Sequence, residues 1–367
     1  MPKIMSDTTV ALVAPTACEH RGEIGDVRMM SVPDCPMCGK PGTPLFSDYF
    51  LDRLFGVPGS WRLVCCCNSA CGLVWQDPRP VEEDLGKLYV RYFTHQESAC
   101  RVSSGVFDRL RLAVLRQVGH RADSGMAWNV LGAFLAYIGP VREYMEGSVL
   151  WLRPSWRGRV LDVGCGNGEM LARMKQLNWE VAGVEPDFAG ARVARDHFGI
   201  DVRGSLEEFP DSNFDVVTLS HVIEHLPDPV ANLSQCFRVL KPKGRLVVAT
   251  PNVRSLGTKW FKRSWVGWDP PRHLMLFTTE CLRNCVAKAG FEVEEVRTPG
   301  RQAYFVWYSG KLIRRHTVVP HGSMRGMISP LIAAQGLLFH AVEYLLGSSG
   351  KGEELLLVAK KGPEPAM

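Results

Sequence analysis

Three glycines at alternate positions, Gly164, Gly166 and Gly168, are the residues of this chain whose spacing most clearly indicates chemistry. They follow a short apolar run at residues 159–163 and precede a helix-like stretch, which predicts a strand, a tight turn and a helix N-terminus. Such a turn lets a ligand approach the backbone where a Cβ atom would not fit. The next apolar run ends in Glu185, and an acidic residue in that place can bind both ribose hydroxyls of a nucleoside cofactor.

The G-x-G-x-G spacing of this turn differs from the G-x-G-x-x-G spacing of dinucleotide-binding proteins, which seats a pyrophosphate at the helix N-terminus. Asp162 lies near the end of the first strand. Its carboxylate would repel a diphosphate and suits an ammonium or sulfonium cation. The pattern therefore favours a cationic nucleoside over a nicotinamide dinucleotide.

Six of the twelve cysteines lie in two tight groups. Residues 1–30 contain no clear apolar segment before a cleavage site, so we expect no secretion signal, and the cysteines then indicate metal binding rather than disulfides. Cys35 and Cys38 have the spacing of a zinc knuckle, and Cys71 is half of a second one. Four thiolates leave no open position for a catalytic water, so the predicted zinc is structural. The remaining ligand is Cys65, Cys66 or Cys67.

Alternating strands and helices must position the glycine turn. The pattern predicts an α/β fold with a doubly wound, mostly parallel sheet and helices on both of its faces. In such a sheet the ligand lies outside the carboxyl ends of the central strands. The predicted strands are residues 159–163, 180–184, 214–219, 244–249, 291–296 and 353–360, and the predicted helices between them include 229–239 and 279–289.

The whole chain divides into six predicted segments. Within the segment that precedes the sheet we expect helices at residues 81–93, 106–118 and 126–152, the last of them broken at Gly139-Pro140. The segments are a flexible tail (1–30), a zinc ribbon (31–80), a helical lid or linker (81–158), the cofactor-binding domain (159–297), an amphipathic helical insertion (298–352) with a helix near 327–347, and a last strand with its tail (353–367).

The bulk composition restricts the class of protein. At 367 residues the chain has room for a large domain and a small one. Its formal charge of +5 is spread along the sequence and does not provide the dense basic face of a nucleic-acid-binding protein. No apolar run reaches the ~20 residues that a membrane-spanning helix needs. We therefore expect a cytoplasmic protein without a nucleic-acid partner.

Four segments resemble, in order, the motifs of class I S-adenosylmethionine-dependent methyltransferases. They are L-D-V-G-C-G-N-G at 161–168, V-E-P-D at 184–187, F-D-V-V-T-L-S-H-V-I-E-H-L at 214–226 and L-K-P-K-G-R-L-V-V-A-T-P-N at 240–252. The resemblance runs from about residue 160 to residue 296 and returns in the last strand. It implies a seven-stranded sheet, S-adenosylmethionine as the cofactor and methyl transfer as the reaction.

The same resemblance assigns roles to single residues. Asp162 and the glycine turn would hold the amino-acid end of the cofactor, and Glu185 would bind its ribose. Ser205 and Leu206 would flank the adenine. The residues that the resemblance places at the cofactor are Asp162, Gly164, Cys165, Gly166, Gly168, Glu185, Pro186, Ser205, Leu206, Ser220 and His221.

Three histidines are candidates for the catalytic base. A hydroxyl acceptor must lose its proton as the methyl group arrives, and imidazole is suited to receive it near neutral pH. His221 and His225 follow the strand predicted at residues 214–219, and His273 lies in a loop after the strand predicted at residues 244–249. The family has a similar Pro-x-His-x-x-x-Phe segment, so the resemblance favours His273 as the base or as the group that orients the acceptor.

A second resemblance concerns the cysteines. The segment C-x-N-x-A-C-G-L at 66–73 is similar to the second knuckle of zinc ribbons that precede methyltransferase domains. It favours Cys66 as the ligand that joins Cys35, Cys38 and Cys71, while the departure from a plain C-x2-C spacing keeps Cys67 as the alternative.

The favoured function is methylation of oxygen or carbon in a small molecule or glycan: a sugar, a cell-envelope glycan or a natural product. The alternatives are a polymer methyltransferase that docks nucleic acid or protein through the ribbon, and a non-catalytic cofactor-binding scaffold. Residues 33–72 are not notably basic, and no N-P-P-Y or D-P-P-Y tetrad follows the fourth strand, which disfavours methylation of nucleic-acid bases. The insertion at 298–352 could contact a membrane surface peripherally or pack as a lid or dimer interface. The oligomeric state stays open.

Overall fold

The computed structural model describes residues 27–89, 105–122, 125–316, 319, 330–346 and 349–362. The N-terminal unit, residues 27–89, contains five short strands and a 3-10 helix at Glu82–Tyr89. The helix predicted over residues 81–93 is therefore a 3-10 helix in its described part. Residues 90–93 lie outside the described residues, as do residues 1–26 of the predicted tail. The strands are β1 (Met29–Met30), β2 (Gly42–Pro44), β3 (Leu63–Cys66), β4 (Val74–Gln76) and β5 (Arg79–Pro80).

Three helices connect this unit to the main sheet: α1 (Val106–Gln117), α2 (Met126–Ala136) and α3 (Gly139–Gly147). The break that the sequence predicts at Gly139-Pro140 is the start of α3, where Pro140 occupies the first turn and its missing N–H group costs no helical hydrogen bond. Residues 148–152, predicted to be helical, follow the end of α3 as turns, and Leu150 and Trp151 have positive φ angles.

The central part alternates between strands and helices, as predicted. Its elements are β6 (Arg159–Val163), α4 (Glu169–Lys175), β7 (Glu180–Val184), α5 (Phe188–Phe198), β8 (Asp201–Arg203), β9 (Phe214–Ser220), α6 (Pro229–Val239), β10 (Leu240–Pro251), α7 (Leu256–Phe261), β11 (Met275–Leu276), α8 (Thr279–Lys288) and β12 (Phe291–Arg297). The insertion contributes α9 (Ala303–Arg315) and α10 (Pro330–Leu346), and β13 (Glu354–Lys361) ends the fold.

Seven strands form the main sheet in the order β12-β13-β10-β9-β6-β7-β8. Neighbouring strands are parallel except for β13, which runs antiparallel to β10 and β12. This arrangement confirms the predicted α/β fold class with a mostly parallel seven-stranded sheet. The residue pattern did not locate the short strand β8, because its three residues carry too little apolar periodicity; only the methyltransferase resemblance places a third strand before Gly204.

Alternating side chains give the sheet two buried faces. Leu161 packs with Leu233 of α6 on one face, and Val160 packs with Leu171 of α4 on the other. The face with α6 also includes side chains of the N-terminal unit, Trp75 among them. The N-terminal unit thus shares a hydrophobic core with the main sheet.

A second sheet joins the two parts of the chain. Its order is β11-β4-β3-β2, so a strand from the loop after β10 completes the sheet of the N-terminal unit. Met275 pairs with Trp75, and Leu276 pairs with Val74. Nothing local in the sequence predicted this pairing across about 200 residues.

The insertion packs against the rest of the protein. Val306 and Trp307 of α9 are buried with Phe261 and Trp265, and Phe339 of α10 joins the same cluster. The sequence analysis predicted α10 but not α9. The sequence of α9 mixes aromatic and basic residues, and the side of the helix that packs against Phe261 and Trp265 is evident only in the tertiary structure. Among the described residues, no helix has both the length and the apolar character to cross a membrane.

Candidate active site

The glycine turn lies where the sequence places it, between β6 and α4. Gly164, Gly166 and Gly168 all have positive φ angles, between +54° and +76°, which other residues adopt only with strain. A Cβ atom on Gly164 would lie 2.5 Å from the side chain of Val222, and one on Gly168 would lie 2.6 Å from that of Ala194. Both the backbone conformation and the close packing therefore require glycine.

Glu185 connects this turn to the end of β7. Its Oε2 accepts a hydrogen bond from the Gly166 N–H at 2.7 Å, and its Oε1 accepts one from the Asp187 N–H at 2.9 Å. Both groups border a cavity of about 640 Å³, called here the larger cavity. The carboxylate thus lies at the carboxyl end of its strand, beside the turn, as predicted.

Most of the predicted cofactor residues line the larger cavity. The larger cavity is also lined by residues that the sequence analysis did not select, among them Tyr89, Phe188 and Asn232. Phe188 is 72% exposed, and its position directly after the E-P-D segment could have indicated that it borders the cofactor site. The predicted residues that line the cavity are Gly164, Gly166, Glu185, Pro186, Ser205, Leu206 and His221.

Four predicted cofactor residues do not line the larger cavity: Asp162, Cys165, Gly168 and Ser220. The Asp162 carboxylate is buried within β6, where its Oδ1 accepts a hydrogen bond from the Thr218 hydroxyl at 2.6 Å. Burial raises the pKa of Asp162 to about 7. Cys165 is buried against Gly183, and Gly168 precedes the first turn of α4.

A smaller cavity of about 300 Å³ adjoins the larger one. Its walls come from separate parts of the chain: the N-terminal unit, the segment after β9, the end of β10, the loop between α7 and β11, the insertion, and Glu353 before β13. Most of the wall is apolar, with Phe55, Trp265 and Phe305 among its side chains. His221 and His225 line both cavities, so ligands bound in the two would meet at these side chains.

His221 lies between two buried carboxylates. Its Nε2 is 2.8 Å from Glu354 Oε1, and its Nδ1 is 3.4 Å from Glu224 Oε1. Burial opposes protonation, but the two carboxylates outweigh it and raise the pKa of His221 to about 10. At neutral pH this side chain is a cation, which cannot accept a proton from a substrate.

His225 and His273 form a pair on the wall of the smaller cavity, with ring centroids 4.7 Å apart. His225 Nδ1 is 3.0 Å from the Arg272 carbonyl oxygen, and His273 Nδ1 is 2.7 Å from the Gly267 carbonyl oxygen. Because a carbonyl oxygen only accepts hydrogen bonds, each Nδ1 is the donor in these contacts. The Tyr89 hydroxyl oxygen also lies 3.0 Å from His225 Nδ1. Burial, together with the neighbouring His273 imidazole, lowers the pKa of His225 to about 4.

A buried ion-pair network fixes the loop that carries His273. The Arg272 guanidinium donates to both oxygens of Asp52, at 2.7 and 2.9 Å, and its Nε donates to Asp269 at 3.0 Å. Gln76 of β4 donates from its side chain to the His273 carbonyl oxygen at 2.7 Å. Two contacts from the N-terminal unit therefore position the histidine that the sequence analysis favoured.

The four favoured cysteines come together in the N-terminal unit. One sulfur atom each from Cys35, Cys38, Cys66 and Cys71 lies within 4.8 Å of the others. The Cys35–Cys71 and Cys38–Cys66 sulfur distances are 3.7 and 3.4 Å. A tetrahedral zinc–thiolate site with ~2.3 Å bonds has sulfur atoms about 3.8 Å apart, so this donor set fits zinc.

The two neighbouring cysteines do not belong to this group. The Cys67 side chain is exposed, and Cys65 is half-buried. A further thiol, Cys281 of α8, lies 3.8 Å from the sulfur atom of Cys71. The sequence analysis gave no role to Cys281, because its proximity depends on how α8 packs against the N-terminal unit.

The seven-stranded sheet and the glycine turn with Glu185 beside it agree with the methyltransferase resemblance of the motifs. Residues 129–296 match a protein family described as a methyltransferase domain, which confirms the resemblance stated from the motifs.

Curated relatives match about a quarter to a third of the chain. The ubiquinone biosynthesis O-methyltransferase of Alkalilimnicola ehrlichii is 37% identical over 103 residues, which cover 26% of this chain and 42% of that protein. The enzyme of the same name from Pseudomonas entomophila is 36% identical over 126 residues, which cover 31% of this chain and 54% of that protein. The chain thus spans about half the length of these relatives or less.

Solved structures of methyltransferases also align with the chain. An S-adenosylmethionine-dependent methyltransferase from Thermotoga maritima aligns with a TM-score of 0.40 and 22% identity, over 62% of this chain and 92% of that one.

Proposed function

We propose that this protein is an S-adenosylmethionine-dependent methyltransferase that methylates a hydroxyl group of a small molecule. The observation that carries the proposal is the pair of adjoining cavities, one beside the glycine turn and Glu185, the other beside His225 and His273. The relatives named O-methyltransferases favour oxygen over carbon as the methylated atom.

The larger cavity suits S-adenosylmethionine. Gly164 and Gly166 let a ligand approach the backbone, Glu185 offers carboxylate oxygens for ribose hydroxyls, and Ser205 and Leu206 flank the far end. When bound, the cofactor supplies an electrophilic methyl group on a sulfonium. The chain's own contribution is to orient the acceptor in line with that group and to exclude water.

The smaller cavity suits the acceptor. Its apolar walls, with Phe55, Trp265 and Phe305, favour an acceptor with a flat or apolar body over a bare sugar. The His273 ring lines this cavity with its Nδ1 held by the Gly267 carbonyl oxygen, so its Nε2 is the nitrogen that would receive the hydroxyl proton or orient the oxygen. His221, held protonated by Glu224 and Glu354, provides a positive charge at the boundary of the two cavities.

A small acceptor is favoured over a polymer. The smaller cavity is walled by the N-terminal unit and by the insertion, two surfaces that a docked nucleic acid or protein would need to displace. We also propose that Cys35, Cys38, Cys66 and Cys71 bind a structural zinc ion. That ion would stabilise the wall that the N-terminal unit provides, rather than recruit a polymer.

Calorimetry with S-adenosylhomocysteine and NAD tests the cofactor assignment. We expect S-adenosylhomocysteine to bind and NAD not to bind. Replacing Glu185 by alanine should weaken binding of S-adenosylhomocysteine about 10- to 100-fold, because hydrogen bonds to a charged group contribute ~1.5–3 kcal/mol. Glu180→Ala, at the exposed start of the same strand, is the matched control and should bind like the wild type. Binding of NAD alone would contradict the proposal.

Peripheral membrane contact through residues 298–352 stays a prediction. The basis for it is that α10 exposes Leu331, Leu337, Leu338 and Leu345, between 62% and 77% each, while its one acidic residue, Glu343, is buried. We expect co-sedimentation with phospholipid vesicles, weakened by the double substitution Leu338→Lys and Leu345→Lys. Wild-type protein that stays in the supernatant would contradict membrane contact. Sedimentation velocity would then test this face as a contact between two copies of the chain.

A further inference from the structure

Two histidines and a glutamate meet at the boundary between the two cavities. One ligand atom from each of Glu224, His225 and His273 lies within 4.8 Å of the other two. His225 lines both cavities, and His273 lines the smaller one. Two imidazoles that line the smaller cavity, with one buried carboxylate behind them, are a donor set typical of divalent transition metals.

The two imidazoles are oriented as metal ligands usually are. Each donates its Nδ1 proton to a backbone carbonyl oxygen, of Arg272 for His225 and of Gly267 for His273. This contact fixes the tautomer and leaves Nε2 as the ligand atom. The carbonyl groups belong to the loop that the buried Arg272–Asp52 ion pair holds in place.

Glu224 provides an independent observation. The residue is fully buried, and its Oε2 accepts a hydrogen bond from the Thr250 hydroxyl at 2.8 Å. Within the described part of the chain, its Oε1 is a buried oxygen without a hydrogen-bond partner. This oxygen lies 3.9 Å from His273 Nε2 and 3.4 Å from His221 Nδ1. A buried carboxylate oxygen is costly unless positive charge lies beside it. The His221 imidazolium provides part of that charge, and a metal ion bound together with His225 and His273 would provide the rest.

We propose that Glu224, His225 and His273 bind one divalent transition-metal ion, and that the acceptor hydroxyl binds this ion. The inference rests on the proposed function and deepens it. The acceptor O–H bond breaks with loss of the proton to solvent, and the metal stabilises the oxygen anion that remains. A new O–CH3 bond then forms as the S–CH3 bond of the sulfonium breaks. The sulfur keeps the electron pair of the broken bond and becomes a thioether. The metal is not consumed and does not change oxidation state.

The donor atoms distinguish this site from the four cysteines. Thiolates select zinc, whereas imidazole with carboxylate also accepts Mn²⁺. The test is therefore titration with Mn²⁺ of full-length protein that carries one zinc ion per chain, so that the four cysteines are filled and the histidine site is free, followed by electron paramagnetic resonance of the unbound ion. We expect one Mn²⁺ bound per chain, with the affinity weakened at least tenfold in Glu224→Gln and in His273→Gln.

His197→Ala is the matched control, because it removes an exposed imidazole of α5 and should leave the Mn²⁺ affinity unchanged. Zinc content and melting temperature show whether each variant is folded, and the glutamine variants keep side-chain volume. Absence of Mn²⁺ binding by the wild type, or equal affinity in the folded Glu224→Gln and His273→Gln variants, would overturn the proposal.

Calorimetry with S-adenosylhomocysteine on the same samples separates the two proposals. Mn²⁺ binding that depends on Glu224 and His273, without binding of S-adenosylhomocysteine, would support the metal site and remove the proposed methyltransferase function. Binding of S-adenosylhomocysteine without Mn²⁺ would leave that function standing and overturn the metal site.

Discussion

His273→Ala is expected to lower kcat/KM for methyl transfer about 10²- to 10⁴-fold, the usual contribution of a positioned acid–base group. The His273 ring lines the smaller cavity, where its Nδ1 is fixed by the Gly267 carbonyl oxygen. It does not line the larger cavity, so the Kd for S-adenosylhomocysteine should change less than about twofold. The measurement is transfer of a radiolabelled methyl group to a panel of hydroxylated aromatic compounds and nucleotide sugars.

His197→Ala again provides the control for loss of an imidazole. Full turnover by a folded His273→Ala variant would remove His273 from the chemistry. The loss is expected whether His273 receives the proton itself or binds a cation, and the Mn²⁺ titration separates these two roles. A loss that appears only in KM would instead assign His273 to acceptor binding.

Cys66→Ser is expected to abolish zinc binding, to lower the melting temperature and to impair methyl transfer. A structural zinc site contributes folding energy directly, with binding free energies of ~10–16 kcal/mol in zinc-finger peptides. Cys66 ends β3, which pairs with β4, and β4 pairs with β11 directly after His273. Loss of the metal should therefore displace His273. The glycine turn and Glu185 belong to the main sheet and should keep their positions.

Cys67→Ser is the matched control, since it removes the adjacent, exposed thiol. Zinc content by atomic emission should fall from about one ion per chain to less than half in Cys66→Ser and should stay near one in Cys67→Ser. Calorimetry should still detect binding of S-adenosylhomocysteine by Cys66→Ser. The opposite pattern, zinc lost from Cys67→Ser alone, would exchange the two cysteines in the assignment.

Local sequence determined the turn and the strands around it. The φ angles of Gly164, Gly166 and Gly168 depend on the turn itself, so the glycine spacing was a reliable signal. The position of Glu185 followed in the same way, because parallel strands present their carboxyl ends at one edge of a sheet. The predicted boundaries of α10 and β13 were within a few residues of those observed, since each is a long apolar stretch.

Only the tertiary structure decided which distant residues come into contact. Cys66 ends β3 and is buried in the core, whereas Cys67, the next residue, is exposed. The predicted contact of Asp162 with the cofactor stays a prediction. The structure shows its carboxylate accepting a hydrogen bond from Thr218, outside the lining of the larger cavity.

The histidine pair shows why the site itself could not be assembled from the sequence. His225 and His273 come together because a buried Arg272–Asp52 ion pair and the β4–β11 pairing attach the His273 loop to the N-terminal unit. Those partners are about 200 residues apart, and contacts at such separation leave no periodic pattern in the sequence. The chain's local patterns thus determined the fold class and the cofactor turn, whereas long-range packing alone brought Glu224, His225 and His273 to one point.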